Sequence, residues 1–485
     1  MLQKTSHFMR QANFIGGEWV QADSGATIDV NNPATGLTIG TVPKSGKAET
    51  RRAIEAADAA FQTWKKTSVL ERHKLLRKLH DAIMDNQQPL AELLTMEQGK
   101  SLTESKGEIA ISASYVLWFA EEGRRAYGDV VPSPWGDRRI LVTKEPTGVI
   151  AAITPWNFPS SMLSRKIAPA LAAGCTAVIK PASQTPYSGL AWGALCEEAG
   201  FPKGTVNIVT GSASEIGDEI CANPLVKKIT FTGSTEVGKM LMAKAAATVK
   251  KVSMELGGNA PFLVFDDADI SRAVEGAMVA KYRNSGQTCV CTNRFFVQAG
   301  VYDAFVEKLA EASNKLKVGA GLEEGTQQGP LIDEKAVEKV EEFVADAKAK
   351  GGKVVSGGKR HALGGSFFEP TVIADATPDM MFMKEEIFGP VAPVFRFETE
   401  EEGIKLANDT EFGLASYFYT GSLGRAFRVM EGLKYGMVGV NEGLITTVEA
   451  PFGGVKESGI GREGGHQGIE DYLDTKYVCI GGLGL

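Results

Sequence analysis

Through the first quarter of the chain, from residue 45 to about 128, apolar residues return every three or four positions with charges between them. The clearest stretches are AETRRAIEAADAAFQTW (48–64) and VLERHKLLRKLHDAIMDN (69–86). This pattern predicts two or more amphipathic helices covering a core. The text then changes to short apolar runs separated by helical stretches. GVIAAIT is followed by an Ala-rich helix, then TAVIK, VNIVT, KKITFTG and KVSMEL each alternate with a helix. A second series opens at APFLVF and runs through ISRAVEGAMVAKYRN, RFFVQA and VYDAFVEKLAEAS to VGVNEG. Alternation of this kind predicts parallel strands with crossover helices, so the fold class is α/β, with two α/β domains of about 200 residues each. Two segments fit neither series: AYGDVVPSPWGDRRILVTKEP (126–146) and the terminal DYLDTKYVCIGGLGL. Extended pieces with no sheet of their own would be unpaired edges, and pairing with a second subunit would use them; the alternative is that both pack onto their own chain.

Length agrees with two or three domains, since 485 residues is about three times a typical domain of roughly 150. The net charge of -7 excludes nucleic-acid binding through bulk positive charge. The longest near-apolar stretch, Ala170 to Ile179, is about half of what a bilayer span needs, so no membrane helix is expected. The opening MLQKTSHFMRQANFIGG has no apolar signal core. Six cysteines are too few for a disulfide scaffold, and a reducing, cytoplasm-like compartment is the default expectation. No His/Cys cluster points to a metal.

The sharpest local text for chemistry is NSGQTCVCTNR (284–294), which places Cys289 in a glycine-flanked loop after a helix. A free thiol has a pKa near 8.5, so only about 3% is thiolate at neutral pH, and a nucleophilic role needs local activation. Taken alone, Cys289 is as readily an ordinary loop thiol. Glu255 in MELGGNAPF stands beside two glycines at the seam between the two series, where a carboxylate can reach a reacting group. A surface acid before a turn reads the same way. In TPWNFP (154–159), Asn157 follows a strand between two prolines and could offer its amide to an oxyanion; an asparagine in a turn is the plainer reading. FTGSTEVG (231–238) joins a strand to a helix through Gly233 and Ser234, the logic of a phosphate site, although it is not GxGxxG. Lys180 opens KPASQT (180–185) at a strand end, where it could hold a ribose hydroxyl or phosphate; a solvated surface lysine is the plainer reading.

In this order TPWNFP, KPASQT, FTGSTEVG, ELGG, GQTC, EEIFGP and PFGGVKESGIGREGG resemble the aldehyde dehydrogenase superfamily over nearly the whole chain. The resemblance implies an aldehyde-dehydrogenase-like subunit of two Rossmann-like domains plus a β oligomerisation arm. Residues 1–125 and 147–257 would form the NAD(P)-binding domain, 258–455 the catalytic domain, and 126–146 with 456–485 the arm and tail of a homo-oligomer, tetramer or dimer. It further implies Cys289 as nucleophile, Asn157 as oxyanion donor, Glu255 as general base and Lys166 as a member of the active-site charge network. Thr154, Pro155, Trp156, Lys180, Ser183, Gly233, Ser234, Glu386 and Phe388 would contact the cofactor. Many NAD-selective relatives have an acid where KPAS has Ser183, so NADP is the expected preference, with NAD as the second choice.

Arg165 and Arg283 fall where relatives for apolar aldehydes carry large neutral residues. With the text around them they resemble the succinate-semialdehyde branch, which implies that the two guanidinium groups would clamp a carboxylate and Thr446 or Thr447 would add a hydroxyl; a structural ion pair at either arginine is the alternative. Glutarate semialdehyde is one methylene longer and stays open as the alternative. Cys291, two residues past Cys289, is either a packed second thiol or half of a reversible disulfide switch.

Overall fold

The computed structural model describes residues 2–483, so residue 1 of the first proposed domain segment and residues 484 and 485 of the tail lie outside it. The helical first quarter contains four helices, Lys47–Trp64, Val69–Asp85, Gln87–Gln98 and Leu102–Glu122. Two of them begin with a reciprocal cap that the sequence carries openly. Ser68 with Glu71, and Ser101 with Glu104, satisfy each other's free N–H groups at the helix start.

The strands of the first series form the parallel centre of an eight-stranded sheet. Across it the order is Lys251–Glu255, Val226–Thr232, Val149–Ile153, Thr176–Lys180 and Val206–Ile208. The chain starts in the middle at Val149–Ile153, runs outward on one side and returns to the other, so the order reverses between that strand and Val226–Thr232. In such a sheet the crevice beyond the carboxyl ends at the reversal is where ligands bind. TPWNFP and GSTEVG are the two segments that leave those ends. Helices Val69–Asp85, Gln87–Gln98, Leu102–Glu122 and Ser161–Ala173 pack one core around Leu76, Val116, Phe119 and Leu171, while helix Lys47–Trp64 lies on the opposite face in a second core around Ile54, Ile216 and Leu241.

The second series builds a seven-stranded sheet in the order 353–356, 371–376, 391–397, 292–298, 260–264, 415–419 and 437–440, parallel except at its first pair. Its apolar runs are buried on both faces, as parallel strands require. The chain passes from the first sheet to the second through Leu256–Asn259, and the Cys289 loop enters the second sheet just before strand Thr292–Gln298.

Two expectations need correction. The arm and tail do have a sheet of their own: Leu473–Ile480 pairs antiparallel with all of Arg139–Pro146, and Asp129–Val131 pairs with the other edge of that strand. The sequence showed two orphan strands because their partner lies more than 300 residues away. Within the tail, Gly459–Ile460 belongs to the first sheet, pairing with Met254 and Glu255. Four short strands before residue 44, at Asn13–Ile15, Glu18–Val20, Thr27–Asn31 and Thr38–Pro43, were not anticipated at all.

Candidate active site

Two cavities meet at Cys289. One, of about 280 Å³, is lined by Arg165, Arg283, Thr446, Phe158, Phe452 and Leu444, among others; the other, of about 360 Å³, by Pro155, Trp156, Asn157, Gly233, Ser234, Glu386 and Phe388, and Cys289 is in both walls. The thiol therefore stands where contents of the two spaces would touch. Burial pushes its pKa up to about 12, reinforced by the Glu386 and Glu255 charges and opposed by Arg165 and Arg283. At rest it is a neutral thiol. Its backbone N–H has no acceptor among the described residues.

Asn157 is brought to the same place from the first sheet. Its amide Nδ2 donates to the Gln287 carbonyl at 3.0 Å, which fixes the orientation of the amide and leaves one N–H unused. The loop that holds Cys289 turns through three successive positive-φ residues, Asn284, Ser285 and Gly286. Gly258 packs under it, and a side chain there would run into the Cys289 carbonyl.

In the first cavity Arg165 is buried, its guanidinium 4.2 Å above the Phe452 ring and 5.0 Å from Tyr115. Its nearest carboxylate oxygen, on Glu463, is 4.0 Å away, too far for a hydrogen bond, and its Nε and Nη1 find no acceptor. Arg283 stacks against Phe158 and has no ion-pair or hydrogen-bond partner among the described residues. Thr446 lines this cavity, whereas Thr447 does not: its hydroxyl is exposed and bonded to Glu449.

Glu255 and Lys166 line neither cavity. Glu255 is buried with one carboxylate oxygen unpartnered; burial and then the Glu463 charge raise its pKa well above the ordinary range. Lys166 is fully buried and paired with Glu463 at 2.5 Å. The expectation that Glu255 stands clear to reach a reacting group is corrected: its carboxyl is tucked beside Gly453, in the acid–base cluster behind the cavities. Sequence reading missed Glu463 although it sits inside GREGG, because nothing local distinguishes it from a surface acid.

Among the expected cofactor contacts, Thr154, Lys180 and Ser183 lie off the lining of the second cavity. Thr154 and Lys180 stand at the ends of neighbouring parallel strands, and Ser183 is three residues on, beside Gln184, which does line it. Lys180 is buried, donates only to its neighbour's carbonyl, and desolvation lowers its pKa to about 8. Lys335, unremarked in the sequence, lines the cavity at the start of helix Glu334–Ala349. Cys291 is buried with its S–H donating to the Lys281 carbonyl at 2.9 Å, so the thiol faces the core and not the cavities. No cluster able to hold a metal exists among the described residues.

The family model for the aldehyde dehydrogenase family matches residues 19–478. The chain belongs to that family. It is an aldehyde dehydrogenase, α/β in fold. Among its relatives, a glutarate-semialdehyde dehydrogenase of Pseudomonas aeruginosa is 62% identical over the full length of both chains. The NADP(+) succinate-semialdehyde dehydrogenase of Escherichia coli is 57% identical, with 98% of this chain and 99% of that one covered. The crystal structure of succinate-semialdehyde dehydrogenase from Burkholderia pseudomallei superposes with a TM-score of 0.97 at 60% identity, covering 98% of each chain.

Proposed function

We propose that this aldehyde dehydrogenase oxidises a short ω-carboxylated aldehyde, succinate semialdehyde first, to the dicarboxylate with NAD(P). The observation that carries the reading is Arg165: a buried guanidinium with two unpaired nitrogens, in the wall of the cavity that also exposes Cys289. A buried cation with unused donors is costly unless an anion completes it. A carboxylate at Arg165 and Arg283, steadied by the Thr446 hydroxyl, would present the far end of a short chain to the thiol. Glutarate semialdehyde is the second reading, favoured by the name of the relative at 62% identity.

The second cavity suits a dinucleotide. Gly233 and Ser234 open helix Thr235–Ala245, the Thr232 hydroxyl beside them is buried without a partner, and a side chain at Gly233 would collide with the Phe231 ring. Pro155, Trp156, Glu386 and Phe388 would hold the ring end, with Trp156 and Phe388 meeting edge to face at 5.5 Å. Lys180 and Ser183 would both donate to a 2′-phosphate, and no acid stands at position 183 to repel one, so NADP is preferred and NAD second. When bound, the nicotinamide supplies the hydride acceptor that turns the thiohemiacetal into a thioester.

The chain's own groups do the rest. Cys289 Sγ adds to the aldehyde carbon once deprotonated, and the oxyanion is held by the free N–H of Asn157 and the Cys289 backbone N–H. Water then attacks the thioester. Glu255, ionised and with its carboxyl swung out from beside Gly453, takes the proton of that water as the base, and its raised pKa makes it a stronger base than an ordinary carboxylate; Lys166 and Glu463 form the charged pair beside it. A homo-oligomer in a reducing cytoplasm completes the proposal.

The test is a kcat/KM panel of C4 and C5 semialdehydes and uncharged aldehydes with both cofactors, repeated for Arg165→Ala and Arg283→Ala. Each charged hydrogen bond lost is worth about 1.5–3 kcal/mol, so about 10- to 150-fold is expected against carboxylated substrates and little against uncharged ones. An equal drop for both classes removes the clamp, and a tenfold preference for NAD overturns the reading of Ser183.

A further inference from the structure

Two loops from different sheets must agree for this site to work, and their agreement converges on one atom. The main-chain carbonyl of Asn157 accepts from Lys100 Nζ at 2.7 Å and from Asn284 Nδ2 at 3.0 Å. Both donors are buried, and neither residue lines either cavity. Lys100 is fully enclosed and paired with Glu108 at 2.6 Å. The other oxygen of Glu108 accepts from the backbone N–H groups of Ser160 and Ser161, where helix Ser161–Ala173 begins. Asn284 is held in turn: its Oδ1 accepts from Gln98 and its N–H donates to Glu104, at a φ of 50. Asn157 then returns the contact through its own side chain, donating to Gln287 in the Cys289 loop.

A fully buried ion pair is weak evidence for stability, since apolar side chains of similar volume often serve as well or better. What Lys100 and Asn284 add is direction. Fixing the carbonyl of a residue fixes the plane from which its Cα–Cβ bond leaves, and with it where the side-chain amide can point. Asn284 contributes from the nucleophile loop and Lys100 from the end of helix Gln87–Gln98, so the amide of Asn157 is referenced to Cys289 and to the helical layer at once.

We infer that Lys100 and Asn284 are positioning residues that hold the Asn157 amide in register with Cys289, so that the oxyanion formed at the aldehyde carbon meets its donor without rearrangement. The inference rests on the oxyanion role of Asn157 proposed above.

The test uses two variants of the full enzyme. Asn284→Gly keeps the positive-φ backbone and removes the donor. Lys100→Met combined with Glu108→Gln removes both charges together, and the amide oxygen at position 108 can still accept from Ser160 and Ser161. In each, kcat and the burst rate of reduced cofactor should fall about 100-fold, the scale on which misplaced catalytic groups and lost oxyanion donors act. Kd for the cofactor should move less than threefold in both, and KM for the semialdehyde less than threefold in Asn284→Gly, because that variant leaves Arg165, Arg283 and both cavity linings untouched, whereas Glu108 lines the substrate cavity. In an Asn157→Ala background, Asn284→Gly should cost no more than a further twofold. A kcat within threefold of the parent, a parallel loss of cofactor binding, or a full additional loss in the Asn157→Ala background overturns the inference. A crystal structure of Asn284→Gly judges it independently of turnover: the Asn157 amide should leave the Gln287 carbonyl, and an unchanged contact overturns it. If the parent oxidises no aldehyde, the proposed function falls while that structure still decides the positioning role.

Discussion

The Cys289 thiol is the residue on which sequence and structure say the most different things. GQTC marks it as a nucleophile, yet its surroundings hold it neutral, because burial and two nearby carboxylates outweigh two nearby guanidinium groups. Reactivity therefore waits for ligands that change the field. The sign is definite: with the pKa pushed up to about 12, the thiolate fraction rises about tenfold with each pH unit throughout the neutral and mildly basic range. Iodoacetamide labelling of Cys289 in the cofactor-free protein, followed by peptide mass mapping, should climb without a plateau between pH 7 and 10. A plateau centred near 8.5 would mean an ordinary exposed thiol. Arg165→Ala takes away one of the groups that lower this pKa, so labelling at a given pH should become slower still. None of this was legible in the sequence, because field depends on residues such as Glu386 and Arg165 that lie about 100 positions away on either side.

At the scale of elements, what was legible followed from periodicity. Period-3.6 text before residue 128 and apolar runs of four to seven residues after it located the helices and parallel strands, and the motifs fell at strand ends where α/β folds keep their chemistry. Strand pairing between distant segments was not, which is why the arm and tail read as orphans and why Gly459–Ile460 went unnoticed in the first sheet. Close approach of backbones was only hinted at by glycine. Gly257 and Gly258 read as freedom for Glu255; in the structure the second of them is room for the nucleophile loop. Gly258→Ala forces a methyl group into the Cys289 carbonyl, which belongs to backbone and cannot rotate away. Overpacking of this kind costs about 1–3 kcal/mol, so the fold should survive with a lowered melting temperature while kcat falls about 100-fold, since the loop that moves carries the nucleophile. Thermal melts paired with steady-state kinetics check it, and near-parent turnover would show that the loop yields without moving the sulfur.

For the whole molecule, a net charge of -7 sets the background against which two anionic ligands would bind. On the function proposed, their recognition would rest on a few placed cations, Arg165, Arg283 and Lys180, each desolvated or walled by aromatic rings, and not on the field of the protein. The same global view concerns the three-stranded sheet made by arm and tail. Because these segments pair with each other, the need for a partner subunit shifts from the strands themselves to the sheet's two outer edges, Asp129–Val131 and Leu473–Ile480. Those edges carry apolar side chains in the open: Val130 is 77% exposed and Tyr477 61%. Natural proteins that avoid edge pairing place lysine there; Leu473–Ile480 has Lys476, but Asp129–Val131 has none and is the edge open to pairing with another chain. The parent protein should therefore sediment as a multiple of its 51.8 kDa chain. Val130→Lys, on an exposed three-residue strand outside every core cluster, should shift the mass toward smaller species with little change in the melting temperature measured at low concentration. A parent that sediments as a single chain, or a variant whose mass does not change, would assign the exposed edges no part in assembly and leave the arm as a brace between the two ends of one chain.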